Sequence, residues 1–182
     1  MPKSIDVDAR ATAWTESSGA TRRELLDTRL MAGVSVPDSP LITEVLLYAK
    51  TAYEPYLFNH AVRSWLFAAK IGQLKGIYCD LEVVAIGTIL HDIGLAAAVS
   101  GPNRFEVNGA AAAVTFVKER GLSERRAQLI WDLVGLNSTP SIALHKEAEV
   151  GLGTMGIGLD YGGFGFELIP SADMTAILQA FP

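Results

Sequence analysis

Between Leu81 and Asp92 the chain reads LEVVAIGTILHD, and a helix drawn through it is apolar nearly all round. Such a helix has no face to give to water, so the rest of the chain must wrap it. Asp80 is a good N-cap with Glu82 in the first turn, and Gly94 stops the helix. The flanking segments have helical spacing too. Leu41, Val45, Leu46 and Ala49 line one face of a run that Pro55 ends, and Asn59 can cap a second helix from His60 to about Gly72. That second helix would bury Ala61, Leu66, Phe67 and Ile71. A further helix is expected after Asn108 with its stop at Gly121. Another opens at Ser123, carries Ile130, Trp131, Leu133 and Val134, and ends near Asn137. A short helix around Lys146–Leu152 leads into a glycine-rich stretch, Gly151 to Gly165, and Asp173 can cap a last helix to Ala180. No alternating run of strand length stands out. The expected fold class is all-α, a bundle of about six helices over residues 41–182. Residues 1–40 read as an N-terminal arm or linker: a short helix from Thr21 to Leu30, then a connector marked by Pro37 and Pro40.

The chain's 182 residues suit one domain. Hydrophobic residues at 49% against 19% charged exclude disorder as the overall state, because such a composition buries enough apolar surface to offset chain entropy. No charge-free stretch reaches the roughly 20 residues of a bilayer crossing, so no membrane partner is expected. The start, MPKSIDVDARATAW, has no apolar run of the kind a secretory signal carries. A single cysteine, Cys79, excludes an intramolecular disulfide framework and fits a cytoplasmic setting. A net charge of -5 argues against nucleic acid as partner.

The chemistry-bearing residues sit where the apolar helices end. His91 and Asp92 are adjacent, and neighbours on a helix diverge by about 100°, so both reach one point only where the helix relaxes. A buried Asp needs a cation, from a side chain or a metal. An isolated histidine on an apolar face is ordinarily a hydrogen-bonded core residue. The combination is more telling: Asn59-His60 with Arg63 one turn on, then Leu90-His91-Asp92-Ile93-Gly94, then Asp160 alone in a segment otherwise free of charge. Two imidazoles and two carboxylates suit one divalent transition metal such as zinc, with iron or manganese as alternatives.

This order, H…HD…D, resembles that of the HD-domain superfamily of metal-dependent hydrolases. The segments Asn59-His60-Ala-Val-Arg63-Ser-Trp-Leu-Phe67, Leu90-His91-Asp92-Ile-Gly-Leu95 and Arg104-Phe105-Glu106-Val107 are similar to its cyanamide hydratase branch, as are Ile130-Trp131 and Thr139-Pro140 through His145-Lys146-Glu147. The resemblance implies an HD-domain bundle with His60, His91, Asp92 and Asp160 as metal ligands. It implies an enzyme in which metal-activated water adds to a small uncharged molecule, cyanamide (giving urea) or a nitrile-like relative. Asp92 and Arg63 would be catalytic, and Asn137, Thr139, Asn108 and Phe67 would face the substrate. The alternatives are an HD-type phosphohydrolase acting on a nucleotide or phosphate ester, and a non-catalytic metal-containing module. Three positions depart from the branch. Asn137 stands for its usual histidine, Asn108 for an aspartate, and Ala111 for a polar residue.

Phe58, Trp65, Phe67, Tyr161 and Phe164 could wall a small dry pocket, although aromatics at helical spacing are ordinarily core. Arg63 reads as a contact to the metal's surroundings or the substrate, or as a surface ion pair. His145 reads as a surface helix start. The glycine-rich stretch lacks the pattern of a phosphate loop. The N-terminal arm is compatible with a homodimer.

Overall fold

The computed structural model describes residues 27–182. Among the described residues the chain is mostly helical, with eight α-helices and one small hairpin. The helix expected from Thr21 falls partly outside the described residues. From Thr28 onward it is replaced by a strand, β1 (Thr28–Met31), paired antiparallel with β2 (Val34–Pro37). Ala32 and Gly33 make the turn with φ of 48° and 78°, the positive pair that matches the twist of a two-residue hairpin. Val34 and Val36 are fully buried, so the expected connector is a strand that closes one side of the core.

The helices α1 (Pro40–Ala52), α2 (Pro55–Lys75) and α3 (Leu81–Ile89) follow. Ser39 caps α1 by accepting from the Ile42 N–H, and Asp80 caps α3 by accepting from the Val83 N–H. Two expectations change here. Proline at the first helical position starts α2 at Pro55, where its missing N–H costs nothing, so Asn59 lies inside the helix and is not its cap. Helix α3 ends at Ile89, earlier than the sequence suggests, and places His91 and Asp92 in the following turn. Every residue of α3 from Glu82 to Ile89 is buried, and the helix packs against α1, α2, β2 and two later helices.

Those later helices are α5 (Glu124–Gly135) and α7 (Ala148–Gly162). Between them stand α4 (Phe105–Lys118) and the single turn α6 (Pro140–Ala143), and α8 (Ser171–Ala180) closes the chain. The glycine-rich stretch is therefore the body of a helix. Two of its glycines, Gly153 and Gly156, serve close approach. A Cβ on Gly87 or Gly153 would lie 2.7 or 2.5 Å from Leu133, so the Leu133 side chain fits between α3 and α7 only because both positions lack one. A Cβ on Gly156 would lie 2.2 Å from the Ser64 carbonyl oxygen of α2. Helices α2 and α7 run antiparallel, with Gly72 against Leu152 and Ser64 and Ala68 against Gly156. One turn further along both helices, this register brings His60 to Asp160.

Among the described residues no helix is long and apolar enough to cross a membrane.

Candidate metal centre

The turn after α3 is shaped by what surrounds it. The Tyr53 hydroxyl donates to the Ile89 carbonyl at 3.1 Å, taking an oxygen that the ending helix leaves unpaired. A Cβ on Gly94 would lie 1.9 Å from the Phe105 carbonyl oxygen, so glycine there lets the start of α4 press against the turn. The Asn137 side-chain amide donates to the His91 carbonyl at 2.6 Å. These contacts fix the backbone from which His91 and Asp92 project.

Three donor atoms converge at this point. His60 Nε2 lies 3.1 Å from His91 Nε2, and Asp92 Oδ2 lies 3.2 Å from His91 Nε2 and 3.7 Å from His60 Nε2. His91 is 1% exposed and the other two are partly buried. The ring protons can be assigned from the outer contacts. His91 Nδ1 lies 2.7 Å from the Thr88 carbonyl oxygen, which only accepts, so Nδ1 carries the proton. His60 Nδ1 lies 2.6 Å from Asp160 Oδ2. That carboxylate also receives Arg63 Nε at 2.7 Å and Arg63 Nη2 at 2.9 Å, so it is ionised and again only accepts. With the proton on Nδ1, Nε2 is the ligand atom each ring offers, and both Nε2 atoms face one another and an anionic oxygen.

Three lone pairs facing one another repel unless something positive sits among them. A proton bridges two of the three, whereas a cation accepts from all. Donors about 2.1 Å from one ion stand about 3.0–3.4 Å apart at right or tetrahedral angles, close to the separations here. The donor set is one that could hold a divalent transition metal, through His60, His91 and Asp92. Burial pushes the Asp92 carboxyl up, but His91 and His60 together hold it below its usual range. Burial pulls His91 down, and Asp92 beside it with the Thr88 carbonyl outweighs that and raises it. Asp160 is also lowered, against burial, by His60 and Arg63.

The remaining expected site residues divide. Asp160 is brought to His60, but to Nδ1, on the edge of the ring away from the converging donors. Arg63 directs Nε and Nη2 at Asp160 and Nη1 at the Phe181 carbonyl, 2.8 Å away, so it is neither a surface ion pair nor aimed at a substrate. Phe67 is 1% exposed in the core, two turns along α2 from His60. Trp65 is fully buried likewise, whereas Tyr161 and Phe164 are exposed. Asn137 supports the His91 backbone. Thr139 begins α6 with no capping bond from its side chain. Asn108 donates to the Asn103 carbonyl and lines an open groove of about 450 Å³ with Tyr48 and Phe116, to which none of the three converging residues belongs. His145 is exposed between α6 and α7.

The sequence pattern did not single out Tyr53 or the role of Glu106. The Tyr53 hydroxyl is raised well above its usual value, by burial first and by Asp92 next. Glu106, 2% exposed at the start of α4, pairs with Arg104 and accepts from the Ser138 hydroxyl. Glu106 stands inside the RFEV segment, two residues after Arg104 at a helix start, and that spacing was the available signal.

No family model and no curated protein sequence matches the chain.

Proposed function

We propose that the chain is a metal-dependent hydratase or hydrolase of the HD-domain type, acting on a small uncharged molecule such as cyanamide or a related nitrile. The observation that carries this reading is the convergence of the His60 and His91 lone pairs with Asp92. His60, His91 and Asp92 would hold the metal. When bound, it would supply Lewis acidity and lower the pKa of a coordinated water from 15.7 to about 7. The chain's own part is to keep Nδ1 of both rings protonated and Nε2 aimed at the centre, through Thr88 and Asp160, and to hold the His91 peptide through Asn137. Asn137 in place of a histidine leaves no imidazole at that position to relay a proton.

The charge layout favours an uncharged substrate over a phosphate ester. Phosphoryl transfer calls for cations aimed at the transferred group. Arg63 is committed to Asp160 and Phe181, and Arg104 to Glu106. The test is elemental analysis of the purified protein followed by parallel assays of urea release from cyanamide and phosphate release from p-nitrophenyl phosphate. About one metal per chain and metal-dependent urea release are expected, both lost in His91→Ala. Phosphate release without urea would favour the phosphohydrolase, and a metal-free parent would end the reading.

A further inference from the structure

Asp160 has the least exposed side chain of any carboxylate touching this site, at 3%. Both of its oxygens are taken. Oδ2 receives His60 Nδ1 and Arg63 Nη2, and Oδ1 receives Arg63 Nε. The two nitrogens of an imidazole point away from one another, so a carboxylate bonded to Nδ1 cannot share an ion with Nε2 of the same ring. The backbone arrangement supports this placement. Gly156 against Ser64 sets the spacing of α2 and α7, and one turn on, that spacing delivers Asp160 to His60 and Arg63. We propose that Asp160 acts from outside the coordination sphere, as the acceptor that fixes the tautomer and aim of His60, and that Arg63 is the positioning residue that keeps it there. The proposal rests on the cation-site reading above, and it deepens that reading by making the centre a two-histidine, one-aspartate site.

Two consequences follow from the chemistry. A carboxylate on Nδ1–H makes Nε2 a better donor, and residues of this kind are typically worth 10–100-fold in metal affinity when removed. Three protein ligands, not four, leave positions for water and substrate, as in catalytic sites and unlike closed structural ones. Arg63 extends the same chain of contacts to α8 through the Phe181 carbonyl, and Asn59 adds a second tie at the Pro182 carbonyl, 2.7 Å away.

The experiment uses the full chain, stripped with a chelator and titrated with Co²⁺ against a chromogenic competitor. The Co²⁺ absorption spectrum reads the ligand set, and circular dichroism melts of the metal-free forms read folding. Asp160→Asn and Arg63→Met are expected to bind one Co²⁺ with the parent's spectrum and about 10–100-fold weaker affinity. Arg63→Lys should recover part of the loss, and Arg63→Met added to Asp160→Ala should weaken binding no further than Asp160→Ala alone. If Asp160→Asn loses Co²⁺ as completely as His91→Ala, or shifts the spectrum, Asp160 is a ligand and the proposal falls. If these variants melt lower without metal yet bind Co²⁺ as the parent does, the role is merely structural and the proposal falls too. A His91→Ala variant that binds like the parent would instead overturn the cation-site reading beneath it.

Discussion

Glu106 shows how a single buried charge is held beside the site and what that does to stability. The Arg104 side chain, opposed by burial and helped by the Ser138 hydroxyl, takes the Glu106 carboxyl down from 4.5 to about 2. A depressed folded-state pKa contributes stability that is present above about 4.5 and lost as pH falls through about 2. Arg104 itself is 76% exposed, so solvent screens much of the pair and its contribution is far smaller than the full shift would imply. Glu106→Gln is therefore expected to be less stable than the parent at pH 7, with the gap closing between about pH 4.5 and about 2 and shrinking in high salt. Urea unfolding of both proteins at pH 7, 4 and 2.5 measures it. A gap that does not change with pH would mean the carboxylate matters for packing alone. At this same scale Asn137 turns out to have work in the backbone: its N–H is committed to the His91 carbonyl, so a histidine there would have to replace that bond as well as offer an imidazole.

Helices α2 and α7 carry the next prediction, and they also show where sequence reading stops. Gly156→Ala puts a Cβ 2.2 Å from the Ser64 carbonyl oxygen, which the backbone cannot yield without parting the two helices. Overpacking of this sort costs about 1–3 kcal/mol, more than the roughly 1 kcal/mol that alanine gains over glycine in helix propensity. Gly158→Ala meets only Phe164 at 3.7 Å, ordinary contact, so it should be neutral or stabilising. The pair separates close approach from propensity in one melting experiment, and only Gly156→Ala should also weaken metal binding. Glycine content stops the expected helix near Leu152, whereas α7 runs on to Gly162, because propensity is local and the burial of α7 against α2 and Leu133 is not. The hairpin escaped for a related reason: strands of four residues give little alternation, although Ala32-Gly33 before Val34-Ser-Val36 was the usable signal. By contrast, the His91-Asp92 corner was legible, since a charged dipeptide closing an all-round apolar helix has few places to go. Which nitrogen of His60 meets Asp160 was not, because ring orientation depends on the register of two helices some hundred residues apart in the chain.

At the scale of the whole molecule the site is where separate parts of the bundle meet. His60 comes from α2, His91 and Asp92 from the turn after α3, and Asp160 from α7 behind His60, while Asn137 ties in the segment after α5. A cation held there would pull directly on α2 and the α3 turn, and on α7 through the carboxylate. Ligand that binds only the folded chain at 100 times its dissociation constant adds about 2.7 kcal/mol of stability. For a chain of this size each kcal/mol moves the melting temperature by about 2–4 °C, so saturating Zn²⁺ should raise it by about 5–10 °C. The sign of the pH dependence follows from the ligands, which must give up protons to bind. The rise should be full well above the point where His91, held above its ordinary value by Asp92, gives up its proton, and fade as pH falls through it. Asp92→Ala leaves two imidazoles and no carboxylate among the converging donors, so its melting temperature should respond to Zn²⁺ far less than the parent's at every pH. Melts of the parent and Asp92→Ala with and without Zn²⁺ at pH 5, 6, 7 and 8 decide the matter. A parent that melts alike with and without the ion across that range would separate the stability of the bundle from any cation at its centre.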